Sequence, residues 1–192
     1  MNITVYCGST PGNREAYTQA AVDLATWIAT KCGTLVYGGS NVGLMKVIAD
    51  TVLDNGGAVI GVEPKLLADQ GYTYDRLTKV IHTETVAERR LKMMELGEAF
   101  VALPGGLGTL DEITEVIEMM SLGEHTKPCI FYNADGYYDK LREFLDRSTT
   151  DTLTRAEDRQ RIYFAANTAE VEGIIFGDGT GETEAVFYGR HL

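Results

Sequence analysis

Along this chain, short apolar runs alternate with helix-length amphipathic segments. NITVYC at 2–7 precedes an amphipathic stretch over 16–30, TLVYGG at 34–39 precedes one over 42–53, and AVIGV follows at 58–62. The alternation continues with KVIHT and 86–96, AFVAL and 110–122, then PCIFYN and 137–147. Each run is apolar throughout instead of alternating with polar residues, as in strands covered on both faces and joined by helical crossovers. The pattern predicts an α/β fold with a doubly wound, mostly parallel, Rossmann-like sheet. Within 42–53, Val42, Met45, Ile48, Ala49, Val52 and Leu53 recur at three- and four-residue steps and make one buried stripe. Asn55-Gly56-Gly57 then supplies a left-handed helix stop, where glycine costs least.

Two stretches break this rhythm. KLLADQGYTYDRLT at 65–78 is long for a crossover connection, which leaves open a substrate-facing loop or a plain surface loop. From about Asp151 the periodicity weakens, although IYFAAN and GIIFGD each read as strands, and the tail GDGTGETEAVFYGRHL reads as peripheral or as a subunit contact. With 192 residues, 44% hydrophobic and 23% charged, the chain suits one well-buried core. A single domain over 1–192 is expected, with about 151–192 as a divergent C-terminal extension.

Charge and cysteine usage narrow the function. A net charge of −11 opposes binding to a nucleic acid polymer, which calls for a basic face, but allows a small anion in a locally positive pocket. Cys7, Cys32 and Cys129 are scattered without CxxC spacing, and His82, His125 and His191 form no ligand pattern, so neither a disulfide framework nor a metal site is expected. The cysteines read as small buried hydrophobes. No apolar run approaches the ~18 residues of a membrane span, and MNITVYCGST lacks the features of a signal peptide, so a cytoplasmic protein without a membrane partner is expected.

In an open parallel sheet, ligands bind beyond the carboxyl ends of the strands. Three turns there are rich in small residues: CGSTPGN (7–13), GGSNVG (38–43) and PGGLGT (104–109). Glycine lets the backbone approach a ligand and turn its N–H groups inward, and a helix that starts there adds partial positive charge. The candidate contacts are Gly8 and Ser9, then Gly38, Gly39 and Gly43 with Met45 just beyond, then Gly105, Gly106, Leu107, Gly108 and Thr109. None of the turns matches GxGxxG or GxxxxGK[ST], so neither a standard dinucleotide fingerprint nor a P-loop is supported.

Glu112 has two readings. Thr109-Leu110-Asp111-Glu112 fits a capping box, yet the carboxylate also stands at the mouth of the pocket, where it could activate water or stabilise a cation. Asp111 could favour the helix dipole. Arg89, Arg90 and Lys92 form the densest basic cluster, either serving an anion or solvated and paired with Glu84, Glu88 and Glu95. Lys46 and Arg14 follow other glycine turns and could assist.

VYCGST, VYGGSNVGLM, GAVIGVEPKLL, ERRLKM and ALPGGLGTLDE, followed by LGEHTKP and NADGYY, resemble in order and spacing the LOG family of cytokinin riboside 5′-monophosphate phosphoribohydrolases, long mislabelled as lysine decarboxylases. The resemblance covers about 2–147. It implies hydrolysis, without a cofactor, of the N-glycosidic bond of a cytokinin riboside 5′-monophosphate or AMP, giving free base and ribose 5-phosphate. By the same resemblance Arg89 and Glu112 are the catalytic pair, Arg90 and the segment from Gly106 to Asp111 contact the nucleotide, and the protein is a homodimer or higher homo-oligomer. Three positions depart from the family pattern. Lys46 follows Leu44-Met45 where GLMG is usual, Arg90 replaces Lys, and Gly71 stands where many relatives carry an acidic residue. The alternative is a non-catalytic nucleotide or molybdenum-cofactor carrier on the same fold, which needs the glycine cradle but no carboxylate at the sugar.

Overall fold

The computed structural model describes residues 1–68 and 74–177. In chain order the elements are β1 (Asn2–Tyr6), α1 (Glu15–Trp27), β2 (Thr34–Tyr37), α2 (Gly43–Asp54), β3 (Ala58–Pro64), the short α3 (Lys65–Ala68), β4 (Lys79–Thr83) and α4 (Val86–Leu96). They continue with β5 (Ala99–Ala102), α5 (Leu107–Ser121), β6 (Cys129–Tyr132), α6 (Asp139–Thr150), the short α7 (Ala156–Arg159), β7 (Ile162–Ala165) and α8 (Thr168–Phe176). The strands form one parallel sheet in the order β4-β3-β2-β1-β5-β6-β7. The chain winds outward from β1 to β4, returns through α4 to lay β5 beside β1, and winds outward again. The winding reverses between β1 and β5, with Ile3 beside Ala99 and Tyr6 beside Ala102.

The apolar residues of the strands feed two cores. On one face Ile3, Val5, Leu35 and Val59 pack with Leu24 of α1, Ile48 and Val52 of α2 and Val171 of α8. On the other, Tyr6, Val36, Val62 and Phe100 meet Met93 of α4 and Ile113 and Val116 of α5. All three cysteines are buried and free, as read. Gly56 ends α2 with φ +80°, the left-handed stop its sequence announces.

One expectation changes. GIIFGD is not a strand: its first residues end α8, whose Asn167 side chain accepts from the Glu170 N–H at 3.1 Å while Glu170 accepts from the Ala166 N–H at 2.7 Å. That reciprocal cap starts a helix through a stretch whose isoleucines favour a strand. IYFAAN holds the strand it was read as, β7, paired with β6 from Cys129–Ile162 to Tyr132–Ala165. Residues 178–192 of the tail lie outside the described residues.

Gly43 opens α2 at φ +56°, where an added Cβ would lie 2.3 Å from the Ser9 carbonyl carbon. Left-handed strain and collision with backbone act together there. Gly43→Ala is expected to cost more than about 2 kcal/mol in urea unfolding. Gly173→Ala, inside α8 with open space around it, should instead stabilise by about 0.5–1 kcal/mol.

Candidate active site

Backbone bonds draw the three glycine turns together at the sheet's reversal point. The Gly8 N–H donates to the Pro104 carbonyl and the Leu44 N–H to the Gly8 carbonyl, each at 3.1 Å. Gly105 sits so close that a Cβ there would meet the Thr109 hydroxyl at 2.1 Å. Helix α5 begins at Leu107, three residues earlier than its apolar periodicity suggests, with Gly106 as an N-cap that offers no side chain. Thr109 therefore lies inside the first turn, and the capping-box reading of Glu112 fails. The first helical bond runs from the Leu110 N–H to the Gly106 carbonyl at 3.1 Å, leaving the N–H groups of Leu107, Gly108 and Thr109 without intrahelical partners.

The capping box instead stands at the head of α4. The Thr85 hydroxyl accepts from the Glu88 N–H at 3.1 Å, and the Glu88 carboxylate accepts from the Glu84 N–H at 2.9 Å. This sets the turn that carries Arg89 inward. Its Nε donates to the Val62 carbonyl at 3.1 Å, and a terminal nitrogen lies 3.0 Å from Glu112 Oε1. A Cβ on Gly38 would fall 2.4 Å from that guanidinium, so the second turn must be bare for Arg89 to pass. The two side chains are only 15% and 12% exposed, which marks a partly desolvated ion pair across α4 and α5.

The rest of the basic cluster is spent elsewhere. Arg90 pairs with Asp111, and its Nε lies 2.8 Å from Glu115 Oε2 outside good hydrogen-bond alignment. Lys92 pairs with Glu95 at 2.9 Å, as the solvated reading expects. Arg14 bonds Asp135, and Lys46 bonds Asp50 with its ammonium 5.1 Å from the Tyr74 ring centre. The returning limb of the 65–78 connection is fastened to the site's rim: the Tyr74 N–H donates to the Gly39 carbonyl at 3.3 Å, and Arg76 pairs with Asp50 and Asp54. Gly71 lies outside the described residues.

A cavity of about 310 Å³ opens here, with Arg89 and Glu112 in its wall. Of the expected contacts, Gly8 and Ser9, Gly38 with Met45, and Gly106, Leu107, Gly108 and Thr109 line it. Gly39, Gly43, Gly105, Arg90 and Asp111 do not; the glycines among them shape the turns, and the last two are tied to each other. Val5, Tyr6, Cys7 and Met93 also line the cavity and went unread. Their signal was the apolar runs themselves, since the end of β1 and the inner face of α4 meet only once the winding order is known.

Burial pushes the Glu112 carboxyl above its ordinary range. The nearby Asp111 and Glu115 push the same way, while the guanidinium groups of Arg89 and Arg90 pull it down. The Cys7 thiol is likewise pushed up, by burial and then by Glu112. Among the described residues no group of side chains could hold a metal ion, and no helix is long and apolar enough to cross a membrane.

This is a doubly wound parallel α/β protein whose cavity lies at its topological switch point and holds a desolvated Arg–Glu pair beside a glycine-opened helix N-terminus. A family described as "Possible lysine decarboxylase" matches residues 45–173. The cytokinin riboside 5′-monophosphate phosphoribohydrolase LOG5 of Arabidopsis thaliana is 40% identical over 169 residues, 88% of this chain and 74% of that protein. The enzyme LOG of Oryza sativa subsp. japonica, with the same activity in its name, is 41% identical over 167 residues, 87% and 69% of the two chains. The chain belongs to this LOG family. Among solved structures, the Moco carrier protein of Chlamydomonas reinhardtii superposes with a TM-score of 0.66 at 21% identity, over 88% of this chain and 90% of that one, and so shares the fold. No lysine lines the cavity among the described residues.

Carboxyl-labelled NMR tests the electrostatics. Glu112 is expected to titrate above the ordinary carboxylate range. Arg89→Gln, which removes the main charge pulling it down, should drive the midpoint higher still.

Proposed function

We propose that this protein hydrolyses the N-glycosidic bond of cytokinin riboside 5′-monophosphates or AMP, releasing free base and ribose 5-phosphate. The observation that carries the reading is the Arg89–Glu112 pair, at 3.0 Å in the wall of a cavity that also borders the start of α5. The N–H groups of Leu107, Gly108 and Thr109, with the positive end of the α5 dipole, suit the 5′-phosphate. Met45, Met93 and Val5 give the cavity apolar surface for a base.

As the bond from ribose C1′ to the base nitrogen breaks, positive charge gathers on the sugar ring. The Glu112 carboxylate stabilises that charge and orients the water whose oxygen bonds to C1′. The water gives up its proton and the departing base takes one. Arg89 fixes the phosphate or assists departure of the base, and meanwhile keeps Glu112 ionised against its burial. Because Glu112 works as a carboxylate with a raised pKa, activity is present above that pKa and lost as pH falls through it. A carrier role rests on fold likeness at 21% identity and leaves the buried carboxylate without a task. The same reading makes the protein a cytoplasmic homodimer or higher homo-oligomer. Leu107, 86% exposed beside the cavity, is the kind of surface such a contact would cover.

Incubation with AMP and with isopentenyladenosine 5′-monophosphate, followed by chromatography of free base, is expected to show turnover and to rank the two. Glu112→Gln should lower the rate at least about 100-fold with folding nearly intact. Substantial activity in that variant, or tight nucleotide binding without release in the native protein, overturns the proposal.

A further inference from the structure

Tyr6, the last residue of β1, lines the same cavity as Arg89 and Glu112. Its side chain enters the core on the α4–α5 face and is only 2% exposed. Among the described residues, buried phenols are otherwise bonded. Tyr37 donates to the Ser40 carbonyl at 3.2 Å, Tyr138 to the Leu103 carbonyl at 2.8 Å and Tyr74 to Asp50, while Tyr132 meets the Thr168 hydroxyl at 3.1 Å. The Tyr6 hydroxyl has no hydrogen-bond partner among the described residues. The residue is buried, but it lines the cavity, and a hydroxyl in a cavity wall without a protein partner is placed to bond what the cavity works with.

Burial pushes the Tyr6 phenol far above its ordinary range, and among the charged groups around it Glu112 adds most to that shift. The group therefore keeps its proton at any working pH and acts only as a neutral donor close to a carboxylate. The other groups that act on Glu112 are Arg89 and Arg90 from α4 and its own neighbours Asp111 and Glu115 on α5. From the turn after β1, the Cys7 thiol feels the same carboxylate. Arg90 is engaged with both Asp111 and Glu115.

We propose that Tyr6 is a positioning residue: its hydroxyl donates through one water to the Glu112 carboxylate and holds it ionised and aimed at the sugar while Arg89 serves the substrate. This rests on Glu112 being the catalytic carboxylate. A donor to the ionised form lowers a carboxyl pKa, so removing it raises that pKa and shortens the pH range over which the base is active.

Tyr6→Phe keeps the ring and its packing and removes only the hydroxyl, so the melting temperature should hold. With AMP as substrate, kcat near neutral pH should fall about tenfold, the scale of one lost charge-assisted hydrogen bond, with KM little changed. The acid limb of the kcat profile should move to higher pH. A native kcat and acid limb overturn the inference, as does a raised KM at native kcat, which would put the hydroxyl on the substrate. Glu112→Gln, measured alongside, separates the failures. An active Glu112→Gln enzyme defeats the catalytic assignment itself, whereas an inactive one beside a native-like Tyr6→Phe profile defeats the role of Tyr6 alone.

Discussion

One guanidinium binds together the parts of the chain that make the cavity. Arg89 reaches from α4 to the last residues of β3 through the Val62 carbonyl, passes against Gly38 after β2, and ends on Glu112 of α5. Each contact constrains another. Gly38 must lack a side chain, α4 must begin where Thr85 caps it, and α5 must start early enough to turn Glu112 inward. An ion pair this buried recovers little net stability once desolvation is counted, while loss of one partner leaves a costly lone charge. Its value lies in orientation: two charges are already dehydrated and aimed before any ligand arrives.

The electrostatics of the cavity follow from that choice. Burial pushes the Glu112 carboxyl up, and the two arginines oppose it. In this acidic chain, one inward-facing arginine and the N–H groups of a helix start without intrahelical partners meet at the cavity. Arg90, Arg14 and Lys46, each of which looked available in the sequence, are neutralised by Asp111 and Glu115, by Asp135 and by Asp50. Spacing along a helix shows where a charge stands but not which carboxylate the next helix brings to it.

The strands were legible because parallel strands between helices must be apolar on both faces, a pattern that polar surface cannot imitate. Helix starts were less so. Gly106-Leu107-Gly108 reads as loop because glycine disfavours helix, yet at a first turn the penalty is small and the bare backbone is useful at a cavity wall. The isoleucines of GIIFGD suggested a strand, while the deciding signal, Asn167 with Glu170 three residues on, stood upstream in plain view. The glycine cradle and the Arg89–Glu112 pair were visible as motifs. Tyr6 and Met93 were hidden inside apolar runs, because which residue of a strand end faces a cavity depends on which strands become neighbours.

That neighbourhood has a cost in time. β1 and β5, side by side at the centre of the sheet, pair residues as far apart as Ile3 and Ala99, with three other strands in between along the chain. Closing so long a loop is entropically slow and is rewarded only when the intervening crossovers are already packed. The cavity between those two strands therefore belongs to the late stage of folding: a half-folded chain can own its strands, its helices and even its glycine turns, and still have no place for a ligand.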